Sequence, residues 1–376
     1  MTPRQQSVIC LINCALTGKP QPLPQDFEWD YAAAFLIKNG LSAMGYTGAL
    51  LCGIAENDPK LTVMQEQYML EFLYSERQLQ QLDIFYKAME EQGFDYMPVK
   101  GAIMKSLYPA HEMRNMGDAD ILFRESQKAQ IAPILEKLGY EFKSESDREW
   151  TWMRPELKLE LHKRLVSTDE KTNYTYFGDG WDFAKLQEGH RYELSREDAF
   201  VFEFCHFTRH YCIEGIGVRH MIDLWVHLYT APNMDQDYIR ESLQKLRLKD
   251  FYENVLRTLE VWFSGKTPDA CTDYITEYVF GGGKVSHSTA IAEAAAKQGK
   301  SKAFWRRVFP AKKQIAWNYP QYQKLPLPLA WVARWCSLIK NRGAVQARMD
   351  SMRTATDESV EQYRQSLAFV GLDVIE

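Results

Sequence analysis

The sequence predicts an α+β fold, a small mixed sheet with flanking helices set between N-terminal and C-terminal helical regions. Three observations predict it. Apolar residues recur at three- and four-residue spacing through most of residues 1–92, the period of a helix with one buried face. Between about 94 and 165 the period falls to two or the apolar runs shorten, as in strands. From about Ser195 helical spacing returns and continues, with breaks, to the C-terminus.

The segment "AENDPKLTVMQEQYMLEFLYSERQLQQLDIFYKAMEEQG" reads as helix, with Gly93 at its end. "FDYMPV" (94–99) reads as a strand in which Pro98 favours an edge position, because proline has no N–H for a ladder. Lys100-Gly101 makes a turn, and "AIMKSLY" a short helix stopped by Pro109. "DADILF" (118–123) reads as a second strand. "SQKAQIAPILEKLG" is a helix with Ser126 as its expected N-cap and Gly139 as its stop. "YEFKS", "REWTWM" and "LKLELHKRL" read as three further strands. The last puts Leu157, Leu159 and Leu161 on one face and Lys158, Glu160 and His162 on the other. Ser195 and Asp198 form a near capping box for the next helix. The expected division is residues 1–75, an N-terminal helical region; 76–170, a catalytic core; and 171–376, a mostly helical C-terminal domain.

Composition narrows the class. The 376 residues are 45% hydrophobic and 25% charged with a net charge of −5, ordinary for a globular chain and not built throughout to bind polyanions. Seven scattered cysteines form no Cys-x-x-Cys pair, which fits a reduced, cytoplasmic chain better than a disulfide framework. The early apolar run "SVICLINCAL" has no small-residue cleavage pattern after it, so no secretory signal is expected. No stretch reaches the ~18 uncharged apolar residues of a membrane-spanning helix.

Asp118 and Asp120 stand one residue apart before the apolar run Ile121-Leu122-Phe123. On a strand they point to the same face, where their charges repel and raise each other's proton affinity. A divalent cation reverses that sign, and Mg²⁺ (or Mn²⁺) takes one or two carboxylates together with substrate phosphates. Glu160, on the polar face of a strand whose other face is leucine, is the candidate third ligand of a metal-assisted site. Lys100 and Gly101, between a strand and a helix, suit a phosphate chain: glycine permits close backbone approach and lysine adds a charge. Arg114 offers a planar fork for a phosphate or base.

Strand, glycine turn, short helix and Asp-x-Asp strand together resemble the polymerase-beta-type nucleotidyltransferase superfamily. Within it, "VKGAIMKSLYPAHEMRNMGDADILF" resembles a bacterial uncharacterised group with a Lys-Gly…Tyr-Pro…Arg…Asp-x-Asp signature. "LELHKRL" is similar to that group's later acidic-x-His strand, and "HFTRHYCIEGIGVRHMIDL" to its helical segment with an Arg-x-x-x-Asp. The likeness spans roughly residues 75–230. It implies Mg²⁺-dependent transfer of a nucleoside monophosphate from an NTP, ATP among them, to an acceptor. Asp118, Asp120 and Glu160 would bind metal, and Lys100 and Gly101 would face the triphosphate. Much of the superfamily has Gly-Ser where this chain has Lys-Gly. A different reading keeps the scaffold but not the turnover: a decayed enzyme that binds nucleotide or an anionic partner.

Each residue also has a structural reading. Asp118 fits the end of an Asn-Met-Gly-Asp turn, Glu160 an exposed partner of Lys158, and Lys100 a surface charge. His162 is expected to support the site. His206 and His210, four apart, fit packing or acceptor binding better than zinc, because no third ligand is evident. Arg219 and Asp223 fit a helix-face ion pair. "FGGGKVSHS" (280–288) lacks Walker spacing and reads as a turn. Between Glu293 and Asp350 lie twelve Lys or Arg, from 297 to 348, no Asp or Glu, and four of the ten tryptophans. That window fits a solvated face, an anionic partner or a membrane surface, with Leu329, Val332, Trp335 and Cys336 as a packed stripe.

Overall fold

The structure, a computed structural model, describes residues 1–230, 233–282, 305, 308–312, 315, 322, 325–340 and 357–373. They fall into two compact units, one drawn from Met1–Arg209 and Ile216–Gly283, the other from His210–Gly215 and Lys284–Glu376.

The first unit opens with helices α1 (Pro3–Thr17), α2 (Trp29–Lys38), α3 (Ser42–Leu51) and α4 (Thr62–Gln92). Thr2 and Gln5 form a capping box on α1, and Gly18 ends it in the left-handed region. Gly93 (φ 69°) ends α4 as the sequence predicts. Strand β1 (Tyr96–Val99) leads into the short helix α5 (Gly101–Met104), followed by β2 (Ala119–Phe123) and α6 (Lys128–Lys137). Gln127, not Ser126, precedes α6, and a 3₁₀ turn over Glu125–Gln127 takes the place of the expected side-chain cap. Strands β3 (Glu141–Glu145), β4 (Glu149–Met153) and β5 (Lys158–His162) follow, then α7 (Lys171–Phe177), β6 (Lys185–Glu188) and β7 (Arg191–Glu193). Helices α8 (Arg196–Arg209), α9 (Val218–Thr230), α10 (Gln236–Lys245), α11 (Lys249–Ser264) and α12 (Ala270–Phe280) complete the unit. Ser195 caps α8 by accepting from the Asp198 N–H at 3.0 Å.

The seven strands form one mixed sheet in the order β3-β4-β5-β2-β1-β7-β6. β2 pairs antiparallel with β1 and parallel with β5. The hairpin β6–β7 was not expected from the sequence and carries the sheet beyond residue 165. β1 is therefore an inner strand despite Pro98. The Tyr96 N–H donates to the His190 carbonyl at 3.1 Å, so residues 96 and 98 direct their backbone groups toward β7. Pro98 has nothing to donate there, and the β1–β7 pairing is confined to Tyr96↔Arg191.

One face of the sheet is the core. Ala119, Ile121 and Phe123 of β2, Leu159 and Leu161 of β5, and Trp150 and Trp152 of β4 pack with Leu82, Phe85 and Met89 of α4 and Ile131 and Leu135 of α6. Burying each such side chain stabilises by ~1.5–3 kcal/mol, which fixes the strand register and sends the alternate residues to the other face.

In the second unit Trp331 donates to the Pro310 carbonyl at 2.8 Å and Trp335 to that of Val308 at 3.1 Å, from a helix over Leu327–Lys340. Leu329 and Val332, expected to be packed, are instead 56% and 51% exposed. Most of the basic window 297–348, and the 280–288 stretch beyond residue 282, lie outside the described residues. Among the described residues no helix is long and apolar enough to cross a membrane.

Candidate active site

The face opposite the leucines is acidic. Asp120 of β2 lies directly beside Glu160 of β5 in the parallel register, and Leu122 beside His162. Residues paired in this way share a face, so Asp120, Glu160 and His162 converge although forty residues of chain separate the strands. On the far side of β5, Glu160 pairs with Thr151 and His162 with Glu149, which brings a fourth carboxylate to the same face. His162 is fully buried and its Nε2 lies 2.7 Å from Asp120 Oδ1. A carboxylate there accepts, so Nε2–H donates, and the imidazole orients Asp120. The other ring nitrogen, Nδ1, is buried with no hydrogen-bond partner.

Lys100 follows β1, whose last residue Val99 is the antiparallel partner of Asp120. Its backbone sits at φ 48°, ψ −124°, a conformation that costs a non-glycine residue ~1–3 kcal/mol. That turn sends Lys100 Nζ back to Asp120 Oδ1 at 2.8 Å. Gly101 is buried. A Cβ there would lie 3.1 Å from Arg114 Nη1 and 3.2 Å from Met116 Cγ, so the missing side chain makes room for these two groups.

Asp118 precedes β2 and is more exposed. Lys158 Nζ joins it to Glu160, at 3.1 Å from Asp118 Oδ2 and 2.5 Å from Glu160 Oε1. The two strand carboxylates are shifted in opposite directions. Burial opposes ionisation of Asp120, but the Lys100 charge and the His162 contact outweigh it and hold the carboxyl well below its usual range. At Glu160 burial and the neighbouring charges of Glu149, Asp118 and Asp120 win over Lys158 and raise the pKa. Glu149 is itself lowered: burial opposes, and Arg148, with Nη2 at 2.5 Å, overrides it.

Arg114 is buried and its fork is occupied. Nε and Nη2 donate to the two carboxylate oxygens of Asp223 at 3.2 and 3.0 Å, and the Tyr108 hydroxyl donates to the same group at 2.6 Å. Asp223 thus pairs with Arg114 rather than serving as the helix-face partner of Arg219. Arg219 donates to the Asn115 carbonyl at 3.3 Å, and burial together with the Arg114 charge lowers its pKa. His206 lies on α8 and His210 opens a π-helical turn over His210–Glu214; neither belongs to the groups of convergent ligand atoms among the described residues.

Glu203 is a candidate that the sequence did not single out. It is 8% exposed on α8 and lines a cavity of about 210 Å³ with Lys100, Arg191, Arg196 and His227. Burial, then the charge of Asp223, pushes its carboxyl up to about 7 against the pull of Arg114 and Lys100. The available signal was an acid inside the apolar run "AFVFEFC". Arg148 and Glu149 were missed because a polar pair at a strand start carries no distinctive pattern.

Asp120, Glu160 and His162 bring ligand atoms within 4.8 Å of one another. The two carboxylates are oxygen donors that suit a divalent cation, and His162, donating to Asp120, holds one of them in place. The residues fit such an ion.

Comparison with curated proteins and with solved structures returns no match. A family model described as uncharacterised nucleotidyltransferase matches residues 25–264, well over half of the chain, and spans every residue of the acidic face and of the cavity beside it. The chain belongs to this nucleotidyltransferase family.

Proposed function

We propose that the protein transfers a nucleoside monophosphate from an NTP to the hydroxyl or other nucleophile of an acceptor, using a divalent cation, Mg²⁺ or Mn²⁺, held by Asp120 and Glu160 with Asp118. The observation that carries this reading is the side-by-side register of Asp120 and Glu160 on the acidic face, one strand from the Lys100–Gly101 turn.

The bound ion would supply Lewis-acid polarisation of the phosphoryl group and a lowered pKa for the attacking hydroxyl. The chain's own residues do the rest. Asp120, kept ionised by Lys100 and oriented by His162, is a ligand ready before substrate arrives. Glu160, beside Asp120 on the same face, accepts the acceptor's proton. Lys158 bridges Asp118 and Glu160 in the free protein and is the group that must yield to a cation. Arg114, fixed by Asp223, pins the segment that carries Asp118. The cavity beside Lys100 and Glu203, between the β1–α5 turn and helices α8 and α9, is the place for the acceptor.

A second reading rests on Lys100 and Lys158. Their ammonium groups already sit against Asp120, Asp118 and Glu160, as they would in a scaffold that binds nucleotide or another anion without turnover. Incubation with NTPs labelled at the α-phosphate, with Mg²⁺, separates the two. Transfer predicts pyrophosphate release that falls ~10²–10³-fold in Asp120→Asn. Binding alone predicts no pyrophosphate and only altered nucleotide affinity.

A further inference from the structure

Away from the acidic face, the N-terminal helices bring three thiols together. Cys10 and Cys14 are one turn apart on α1, and Cys52 caps the C-terminus of α3. Their Sγ atoms all lie within 4.8 Å of one another, and Cys14 Sγ is 3.2 Å from Cys52 Sγ. Helix contact dictates this meeting. A Cβ on Gly48 would fall 2.0 Å from the Leu11 carbonyl oxygen, so α3 lies backbone-close against α1 at that point. One turn further along each helix stand Cys52 and Cys14, which therefore face each other.

Two outcomes are open to such a trio: a disulfide between two members, or a metal held by all three. Chemistry favours the second. Cys10 is 8% exposed and Cys14 fully buried. Enclosed thiols are out of reach of an exchanging disulfide, whereas a coordinating cation deprotonates the thiols it binds. A disulfide would also leave the third sulfur unused. Three thiolates around a divalent ion leave one net negative charge, against two around a monovalent ion, and the smaller charge suits a largely apolar place. Cys10 and Cys14 precede residues 25–264, the stretch matched by the nucleotidyltransferase family.

We propose that Cys10, Cys14 and Cys52 form a binding site for a thiophilic divalent cation, Zn²⁺ by charge and softness, that ties α1 to α3. Three S–H protons pass to solvent as three metal–sulfur bonds form. Cys52, the part-exposed member, marks the side from which a water completes the coordination.

The test uses the full chain, reduced and stripped of metal. Titration with Co²⁺ is expected to give a thiolate-to-cobalt charge-transfer band that saturates at one equivalent and is abolished by Zn²⁺. X-ray absorption at the zinc edge is expected to show three sulfurs at about 2.3 Å. Cys52→Ser should weaken Zn²⁺ binding by roughly 100-fold, and Cys271→Ser, on α12, should leave it unchanged. The proposal is overturned by the lack of a charge-transfer band, by fewer than three sulfurs, or by Cys52→Ser binding like the parent. It is equally overturned if the chain carries a Cys14–Cys52 disulfide and takes up no metal once reduced. If Cys52→Ser does not fold, the sulfur count on the unaltered chain decides.

Discussion

Arg114 and Asp223, 109 positions apart in sequence, are joined by two parallel hydrogen bonds of 3.2 and 3.0 Å in the interior of the first unit. The pair links the segment just before β2 to helix α9, and so ties the acidic strand to the helices that line the neighbouring cavity. Asp223→Asn should destabilise the chain by ~3–5 kcal/mol, because a buried guanidinium is left without its charge partner. Arg114→Lys should recover only part of that, since an ammonium cannot reproduce the fork. Urea denaturation of the three proteins checks the order.

Asp120→Asn and Glu160→Gln should move stability in opposite directions. The first leaves the Lys100 ammonium, whose side chain is 8% exposed, without its carboxylate, a loss of ~3 kcal/mol. The second removes a carboxylate that burial and its like-charged neighbours disfavour, so thermal unfolding of the metal-free protein should shift upward. Both should lower turnover by ~10²-fold or more. A stabilising substitution that destroys activity is the signature of charge gathered for function rather than for folding.

The same shifts fix the pH dependence. Asp120 and Asp223 have folded pKa values below the unfolded value of ~3.9, so the stability they contribute is present above that pH and is lost as pH falls toward the folded values. Glu203 has the reverse sign. Its folded pKa of about 7 exceeds the unfolded ~4.3, so the folded state holds the extra proton and stability declines as pH rises through that window. Glu203→Gln should flatten the decline and stabilise the chain at pH 8 by at least ~1 kcal/mol. Calorimetry from pH 4 to pH 8 reads both.

The strand faces were legible in the sequence because alternation was clean. Leu157, Leu159 and Leu161 against Lys158, Glu160 and His162 could be placed without coordinates, and with them the meeting of Glu160 and Asp120. The hairpin β6–β7 was not, because the four residues of β6 are all exposed and bury nothing that would impose a pattern. Its turn did leave a trace in Gly189-His190, where Gly189 adopts φ 55° and Glu90 accepts from the His190 N–H. The partner of Arg114 was out of reach, since Asp223 sat beside the equally plausible Arg219 on its own helix. The dual role of Lys158 depends on side-chain reach across two strands, which sequence spacing does not convey.

Gly101→Ala should cost ~1–3 kcal/mol, because its methyl meets the Arg114 guanidinium at 3.1 Å and that group cannot retreat without loosening Asp223. Turnover should fall further than stability, through displacement of Lys100. Thermal unfolding measured beside pyrophosphate release separates the two effects.

Lys158→Met removes the cation that bridges Asp118 and Glu160, so Mn²⁺ should bind roughly tenfold more tightly than to the parent. Titration followed by the paramagnetic resonance of free Mn²⁺ gives the affinities. Unchanged affinity would mean that Lys158 does not stand in the cation's place.

The most direct measurement is a crystal soaked with a non-hydrolysable NTP and Mn²⁺, read from manganese anomalous scattering. The account predicts density between Asp120 and Glu160, Lys158 turned away, and the triphosphate at the Lys100–Gly101 turn. Nucleotide bound with Lys158 still on Asp118 and Glu160, and no manganese on those carboxylates, would contradict it.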